Sequence, residues 1–378
     1  MGLRVAITGL GAVTPVGCEK DQLWESLCNG KSGIANITAF DTADHDVLIA
    51  GEAAGFEPSR WFDKKEERRL DRFSQFAVAS AALALEDSGI DLDTMNREKV
   101  GAIIGTGIGG IIEIEAQHKV LIERGPSRVS PFMITKLMAN AAPGYIAIKF
   151  GLQAANFSVI TACASGAHAI VEAFRIVQRG EADVMFAGGT EATITPLCVS
   201  AFNNMKALST RNGEPQKASR PFDRDRNGFV ISEGSGMVIL EEMESAKKRG
   251  ATIYAEMLGS KMDEHNTNVY LINTGWSGGA YGVGERIDLP LTRRMVNAAL
   301  NGELDSVEFE TDDVFHLQVP TKCEGIPSEM LKPINTWEDK DAFKETAIKL
   351  AARFSAHYDK AYGDKNLSDS IRSQCPGK

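Results

Sequence analysis

One cysteine stands where a chain can hold a reactive thiol. Cys163 lies in Thr161-Ala162-Cys163-Ala164-Ser165-Gly166. The run before it, Phe157-Ser158-Val159-Ile160, predicts a short buried strand. The run after it places Ala167, Ile170, Val171, Phe174 and Val177 on one face of a helix that starts at the cysteine. A thiol at a helix N-terminus meets unsatisfied N–H groups and the positive end of the dipole, which favours the thiolate. The small residues beside it leave room for a substrate. That is the chemistry of a nucleophile. The competing reading is a structural thiol, because free cysteine is among the most buried residue types.

Other spacings imitate sites without completing them. His168, further along the same helix, is turned well off the Cys163 direction and reads as helix packing or surface. Gly105-x-Gly107-x-Gly109-Gly110 follows a strand like a dinucleotide loop, but no acidic residue closes a second strand about 20 positions on. Gly30-Lys31-Ser32 has the end of a phosphate loop, with Glu25 where the leading glycine belongs. Asp223, Asp225, Asn227 and Gly228 open like a calcium loop, but Gly234 holds its last position. Lys64, Lys65, Arg68, Arg69 and Arg72 form a basic cluster on one helix, with Arg128 and Lys206 elsewhere. Taken alone, that cluster is a solvated face.

The rest of the chain must supply the frame for that thiol. The first 258 residues alternate strand and helix signals, which predicts α/β layering. Val100 to Ile104 is an apolar strand ahead of the glycine loop, Gly236 to Leu240 another, and Ala251 to Leu258 one more. Phe73, Phe76, Ala77, Ser80 and Ala84 follow helical spacing, with Gly89 as the stop. Pro143 opens a helix through Tyr145 and Ile148. Further on, Val269 to Asn273 is strand-like, and Leu291 to Leu300 predicts a helix ended by Gly302. Phe343, Ala347, Leu350 and Phe354 make an apolar stripe on a long helix. Residues 365–378 are polar and are expected to be disordered.

Composition sets the outer bounds. The 378 residues suit two domains or one large one. A hydrophobic share of 43% and a charged share of 24% are those of a soluble globular chain. The net charge of −10 argues against nucleic-acid binding. No apolar stretch reaches the roughly 18 residues of a membrane helix, and the start lacks a signal-peptide core. The cysteines, Cys18, Cys28, Cys163, Cys198, Cys323 and Cys375, are widely spread with no metal spacing. A cytoplasmic chain with free thiols, no metal and no cofactor is expected.

Thr161 to Gly166 resembles the nucleophile signature of the β-ketoacyl-acyl-carrier-protein synthases. Val5 to Gly11 with Thr14-Pro15-Val16-Gly17 is similar to their opening strand and turn. Gly105 to Gly110, Ala187 to Glu191, Ala207 to Arg211 and Arg220 to Val230 continue the resemblance, which runs from Leu3 to about Leu258. Ala154-Ala155 departs from it, standing where the family has a Gly-Pro turn. The resemblance implies a thiolase-like fold of two similar halves, each a mixed five-stranded sheet with helices. Only the first half is expected here, with room for the first strand of the second, over residues 1–258.

The same resemblance implies roles. Cys163 would attack an acyl-carrier-protein thioester, with its own N–H as one oxyanion donor. Ile108 and Phe132 would line the acyl tunnel. Lys65, Arg68, Arg69, Arg128 and Lys206 would meet the acidic carrier, where opposite charge mainly speeds encounter. Malonyl-carrier protein would then lose carbon dioxide and condense, as in fatty acid biosynthesis. The family implies a homodimer. Its second step uses two histidines, one in a His-Gly-Thr segment and one in a Gly-His segment. His45, His118, His168, His265, His316 and His357 match neither. Condensation is therefore expected to be impaired, and the face left uncovered is expected to make the chain associate.

From about Ser260 the chain resembles the C-terminal part of ATP-dependent phosphoenolpyruvate carboxykinase. Val269 to Gly279, Tyr281 to Ile287, Thr292-Arg293, Ala298 to Gly302, Leu331-Lys332-Pro333 and Asn335-Thr336-Trp337 carry that resemblance. It implies an α/β segment over residues 266–364 in which Arg286, Ile287 and Thr292 lie against an adenine. The junction, residues 259–265, has no Pro/Gly/Ser-rich spacer. The expected arrangement is a chimera, the front of one enzyme joined to the back of another. An ATP-binding segment and a chain without catalysis are the alternative readings.

Overall fold

Alternating side chains on a few short strands organise the first part of the chain. The computed structural model describes residues 3–257, 272, 276–279, 283–362 and 375–376. The chain divides into two compact units, Met1–His265 and Asn266–Lys378. In the first, β1 (Val5–Val13), β4 (Val100–Gly105), β5 (Asn156–Val159), β6 (Val184–Glu191), β7 (Gly234–Glu242) and β8 (Ala255–Glu256) form one sheet in the order β5-β4-β6-β7-β1-β8. β4 runs parallel to β5 and β6, whereas β7 is antiparallel to β6 and β1, and β8 antiparallel to β1. β2 (Ile34–Asn36) and β3 (Ile49–Gly51) make a separate ribbon. The sheet is mixed, as expected, and β8 gives it a sixth strand beyond the five the family pattern implies.

The helices of this unit are α1 (Lys20–Cys28), α2 (Lys64–Arg69), α3 (Arg72–Ser88), α4 (Ile111–Arg124), α5 (Met133–Leu137), α6 (Ala141–Phe150), α7 (Ser165–Gln178), α8 (Pro196–Asn204) and α9 (Met243–Lys248). Successive residues of a strand point to opposite faces. Ala102, Ile104, Phe186 and Ile239 pack with Phe73, Phe76, Ala77 and Ala84 of α3 on one side. Ile103, Met185, Ala187 and Leu240 pack with Ala169, Ala173 and Val177 of α7 on the other. All of these side chains are fully buried. The result is three layers, with apolar strands covered on both faces. Gly89 ends α3 in the left-handed conformation, φ 64°, as the sequence predicts.

Four expectations need correction. β5 is an edge strand paired only with β4, so Phe157 is 40% exposed and the following Ile160 60% exposed. A short apolar run does not by itself distinguish a central strand from an unpaired edge. The buried face of α7 is Ala169, Ala173, Phe174, Ile176 and Val177, so Phe174 and Val177 lie inward as expected while Ala167 and Val171 are exposed, because the sheet contact sets the phase of that helix. Pro143 is the third residue of α6, which begins at Ala141 with Asn140 as its N-cap. Of the strand expected over residues 251–258, β8 covers Ala255–Glu256, with the flanking Tyr254 and Met257 N–H groups donating to Ile7 O and Val5 O, and residue 258 lies outside the described residues.

The second unit is smaller and less regular. β9 (Trp276–Ser277) pairs with β10 (Glu285–Arg286), and β11 (Phe309–Thr311) with β12 (Gln318–Pro320). Helices α10 (Leu289–Leu300), α11 (Ser328–Leu331), α12 (Pro333–Thr336) and α13 (Lys340–Tyr362) complete it. Ala298, Leu304, Cys323 and Ile326 form a small core. Of the stripe expected on α13 only Ala347 is buried, joined by Ala351, while Leu350 and Phe354 are exposed. That helix buries a strip of small residues and turns its bulky ones outward. The segment 259–265, most of 269–273 and nearly all of 365–378 lie outside the described residues. Among the described residues no helix is long and apolar enough to cross a membrane.

Candidate active site

Cys163 is exposed, in the turn that carries the chain from β5 to α7. The backbone before it takes an uncommon shape: Ala162 has φ 52°, in the left-handed region that L residues other than glycine, asparagine and aspartate rarely visit. The Ala164 N–H donates to Thr161 O at 3.2 Å and the Ser165 N–H to Ala162 O at 3.1 Å. The Ser165 hydroxyl accepts the Thr161 N–H at 2.9 Å and donates to Ala162 O at 2.6 Å. The helix begins at Ser165, two residues after Cys163, with Ala164 as its N-cap. The expectation of a helix starting at the cysteine is corrected accordingly, since the tight turn occupies residues 161–164. No hydrogen bond links the Cys163 N–H to an acceptor among the described residues.

Glycines seat this turn on the sheet. A Cβ on Gly105, the last residue of β4, would lie 2.2 Å from the backbone carbonyl of Ser165. One on Gly189 of β6 would lie 3.0 Å from the Gly166 Cα. The first turn of α7 thus rests directly on the backbones of two strands, and side chains at these positions would push it away.

Beside it runs the glycine loop after β4. Glu191, at the end of β6, accepts the Gly107 N–H at 2.5 Å and the Thr106 hydroxyl at 3.1 Å. Thr106 Oγ1 in turn accepts the Gly109 N–H at 3.1 Å. Burial raises the Glu191 pKa, while the loop's N–H and hydroxyl donors oppose that shift. The loop is pinned by a carboxylate of the neighbouring strand. It presents Ile108, which is 43% exposed.

A second carboxylate ties helix starts together. Asp71 accepts the Phe73 N–H at the start of α3 and the Glu113 N–H in the first turn of α4. Burial pushes its pKa up to about 6, against the pull of these two N–H groups and of Lys136. Lys136 of α5 pairs with the buried Glu113. That pair anchors the short segment bearing Phe132, itself 44% exposed. Glu233 forms a two-pronged ion pair with Arg72 and also accepts the Ala53 N–H at 2.9 Å.

The positions singled out by sequence fall into distinct groups. Lys65, Arg68, Arg69, Arg128 and Lys206 are all exposed. Asp63 caps α2 in a reciprocal box with Glu66, which fixes the helix that carries the first three. The Arg69 guanidinium lies 5.3 Å over the Phe132 ring, so α2 and the Phe132 segment meet. Lys206 follows α8 with φ 56°. His168 is exposed, its Nδ1 2.8 Å from Thr161 Oγ1. In the second unit Ile287 is buried and Thr292 lies in the first turn of α10. The Arg286 side chain is outside the described residues. Sequence reasoning missed the hydrogen-bonding role of Ser165 within the turn, and those of Glu191 and Asp71, which come from pairing across the fold.

Comparison with known proteins agrees with this architecture. Residues 3–246 match the family described as Beta-ketoacyl synthase, N-terminal domain. Residues 248–329 match the family described as Phosphoenolpyruvate carboxykinase. Among curated relatives, a 3-oxoacyl-(acyl-carrier-protein) synthase 2 of Synechocystis sp. is 49% identical over 68% of this chain and 62% of its own length. One of Vibrio cholerae is 43% identical over 79% of this chain and 70% of its own. The chain therefore spans somewhat under two thirds of the first relative and slightly more than that of the second. A solved beta-ketoacyl synthase from Burkholderia phymatum superposes with a TM-score of 0.62 at 32% identity, covering 68% of this chain and 63% of that one. A type II PKS acyl-carrier protein in complex with its ketosynthase superposes at 0.60 and 29% identity, covering 68% and 63%. The first unit has the thiolase-like α/β fold of these ketosynthases. Through residues 3–246, this chain belongs to the β-ketoacyl synthase family.

Proposed function

We propose that the first unit is the nucleophile-bearing half of a β-ketoacyl-acyl-carrier-protein synthase and that its reaction is acyl transfer to Cys163. The observation that carries this reading is the exposed Cys163 at a left-handed turn, with its N–H unengaged among the described residues. The Cys163 thiolate attacks the carbonyl carbon of an acyl-carrier thioester. A new C–S bond forms to Cys163, the C–S bond to the carrier breaks, and the carrier leaves as a thiolate. That thiolate takes up a proton from solvent, in place of the one Cys163 gave up on ionising. The Cys163 N–H faces the charge that develops on the carbonyl oxygen.

Ile108 and Phe132 border the acyl chain in this reading. Lys65, Arg68, Arg69, Arg128 and Lys206 steer an acidic carrier protein. A second copy of the chain pairs through the apolar face around β5, where Phe157 and Ile160 are exposed. The later decarboxylative condensation relies on two histidines whose segments this sequence does not contain, so the reading stops at the acyl-enzyme. Residues 1–258 are then one functional piece, and residues 266–364 a carboxykinase-like segment with no part in it.

The test is intact-mass measurement after incubation with an acyl-carrier-protein thioester, beside Cys163→Ala. An acyl adduct on the parent chain alone is expected. Folded parent protein that gains no adduct, or an adduct that survives in Cys163→Ala, overturns the proposal.

A further inference from the structure

We propose that Ser165 is a positioning residue for Cys163, acting through its hydroxyl. This rests on reading Cys163 as the nucleophile. Ala162, one residue before the cysteine, sits at φ 52°. A left-handed alanine crowds its Cβ against the following carbonyl and reverts unless something holds it. Ser165 supplies the hold on both sides of that residue. Its Oγ accepts the Thr161 N–H at 2.9 Å and donates to Ala162 O at 2.6 Å, and its own N–H donates to the same carbonyl.

The holding group is itself fixed. Ser165 is 3% exposed, so bulk water does not compete for these bonds. Its backbone rests on Gly105, and the next residue rests on Gly189. A rigid platform therefore carries one hydroxyl, and that hydroxyl sets the direction in which the chain leaves Thr161. Cys163 lies between the strained Ala162 and the N-cap Ala164, so its thiol follows that direction. Without the hydroxyl, the Thr161 N–H loses its acceptor, Ala162 O loses one of two donors, and Ala162 returns to the ordinary φ range. The thiol then turns away from the end of α7.

The experiment uses the full chain and needs no acyl substrate, so it stands apart from the acyl-transfer test. Iodoacetamide labelling of Cys163 is followed by peptide mass spectrometry at one pH. The exposed Cys28 serves as reference in the same molecule. Ser165→Ala is expected to slow Cys163 labelling relative to Cys28 by roughly 5- to 30-fold, the population change matching the usual left-handed penalty. Ala162→Gly alone should change it by less than about twofold, because glycine takes positive φ freely. Combined with Ser165→Ala, Ala162→Gly should restore most of the rate, which loss of packing would not allow. Ser165→Thr, which keeps the hydroxyl, should stay near the parent. An unchanged ratio in Ser165→Ala overturns the proposal, as does a loss that Ala162→Gly does not relieve. Should Ser165→Ala alone fail to fold, the comparison moves to the Ala162→Gly background. There a small difference supports the hold, and the full loss refutes it.

Discussion

Gly105→Ala is the most discriminating single change in this molecule. A Cβ at that position would sit 2.2 Å from both the carbonyl carbon and oxygen of Ser165, and 2.6 Å from the Gly166 nitrogen. All three are backbone atoms, so no side chain can swing aside. Ordinary contact begins near 3.4 Å; the helix start must therefore move by about 1 Å, or the strand must, against native packing density. Overpacking of this kind costs about 1–3 kcal/mol, and backbone obstruction places Gly105→Ala near the top of that range. In a unit of this size a loss of about 3 kcal/mol lowers the unfolding midpoint by roughly 6–12 °C. The same displacement moves Cys163, and a misplacement of about 1 Å can reduce a reaction rate by on the order of 10²-fold. Gly236→Ala is the control: it lies on β7 of the same sheet, where an added Cβ meets nothing within 4 Å. Thermal unfolding of both variants, with Cys163 labelling on each, gives the comparison. A Gly105→Ala protein that unfolds within about 1 °C of the parent and labels Cys163 within twofold would refute the seating of α7 on β4.

Three further outcomes follow from the polar contacts. Burial raises the Asp71 pKa to about 6 from 3.8, so the folded state favours its protonated form. Its contribution to stability is greatest below pH 4, falls as pH rises and levels off above about 6. The difference in unfolding free energy between Asp71→Asn and the parent should shift toward the variant by about 2 kcal/mol between pH 4 and 7 in denaturant titrations; a pH-independent difference contradicts the burial argument. Glu233→Gln should cost about 2–3 kcal/mol by leaving the part-buried Arg72 without its carboxylate. Arg72→Met in the Glu233→Gln background, which keeps an acceptor for the Ala53 N–H, should recover part of that cost in denaturant titrations, and no recovery would count against a desolvated pair. Reversing Lys65, Arg68 and Arg69 to glutamate should slow carrier-dependent acylation mainly at low salt, with iodoacetamide labelling of Cys163 unaltered. Equal slowing at high salt would point away from electrostatic docking.

What the sequence discloses here is what is local. The apolar strand at Val100 to Ile104, the helical spacing from Phe73 to Ala84 and its glycine stop are each written within one segment, and each is found. The position of Cys163 between a strand and a helix is equally local. The contacts that shape the turn and the loop beside it are of two kinds. Ser165 acts across four residues, close enough to be read from a motif, yet its hydroxyl gives no pattern distinct from that of any small helix-start residue. Glu191 reaches Gly107 across 84 positions and Asp71 reaches Glu113 across 42, and no periodicity encodes such pairs. The phase of α7 was illegible for a related reason. Its apolar residues surround more than one face, and the contact with the sheet, seated on the glycines of β4 and β6, decides which of them turns inward.

The placement of these contacts bears on which chemistry can be separated from which. Gly105, Ser165, Gly166 and Gly189 hold the turn, and Glu191 holds the loop beside it; all lie within one unit and within 87 positions of sequence. Among the described residues, the hydrogen bonds of the turn at 161–164 run only to residues 161–168. The geometry that presents the thiol is therefore self-contained, and it does not depend on the groups that a later condensation would use. Forming a thioester on Cys163 and condensing it with a second unit then have different structural requirements. The first needs an oriented nucleophile with an N–H facing the developing oxyanion. The second needs donors opposite the thiol that stabilise an enolate. A chain that meets the first requirement alone should stop as a stable acyl-enzyme, because no group held in this turn activates water or a carbanion against the thioester. Slow hydrolysis of that adduct, measured by its persistence in intact mass, is the physical signature that separates an arrested half-reaction from an inert fold.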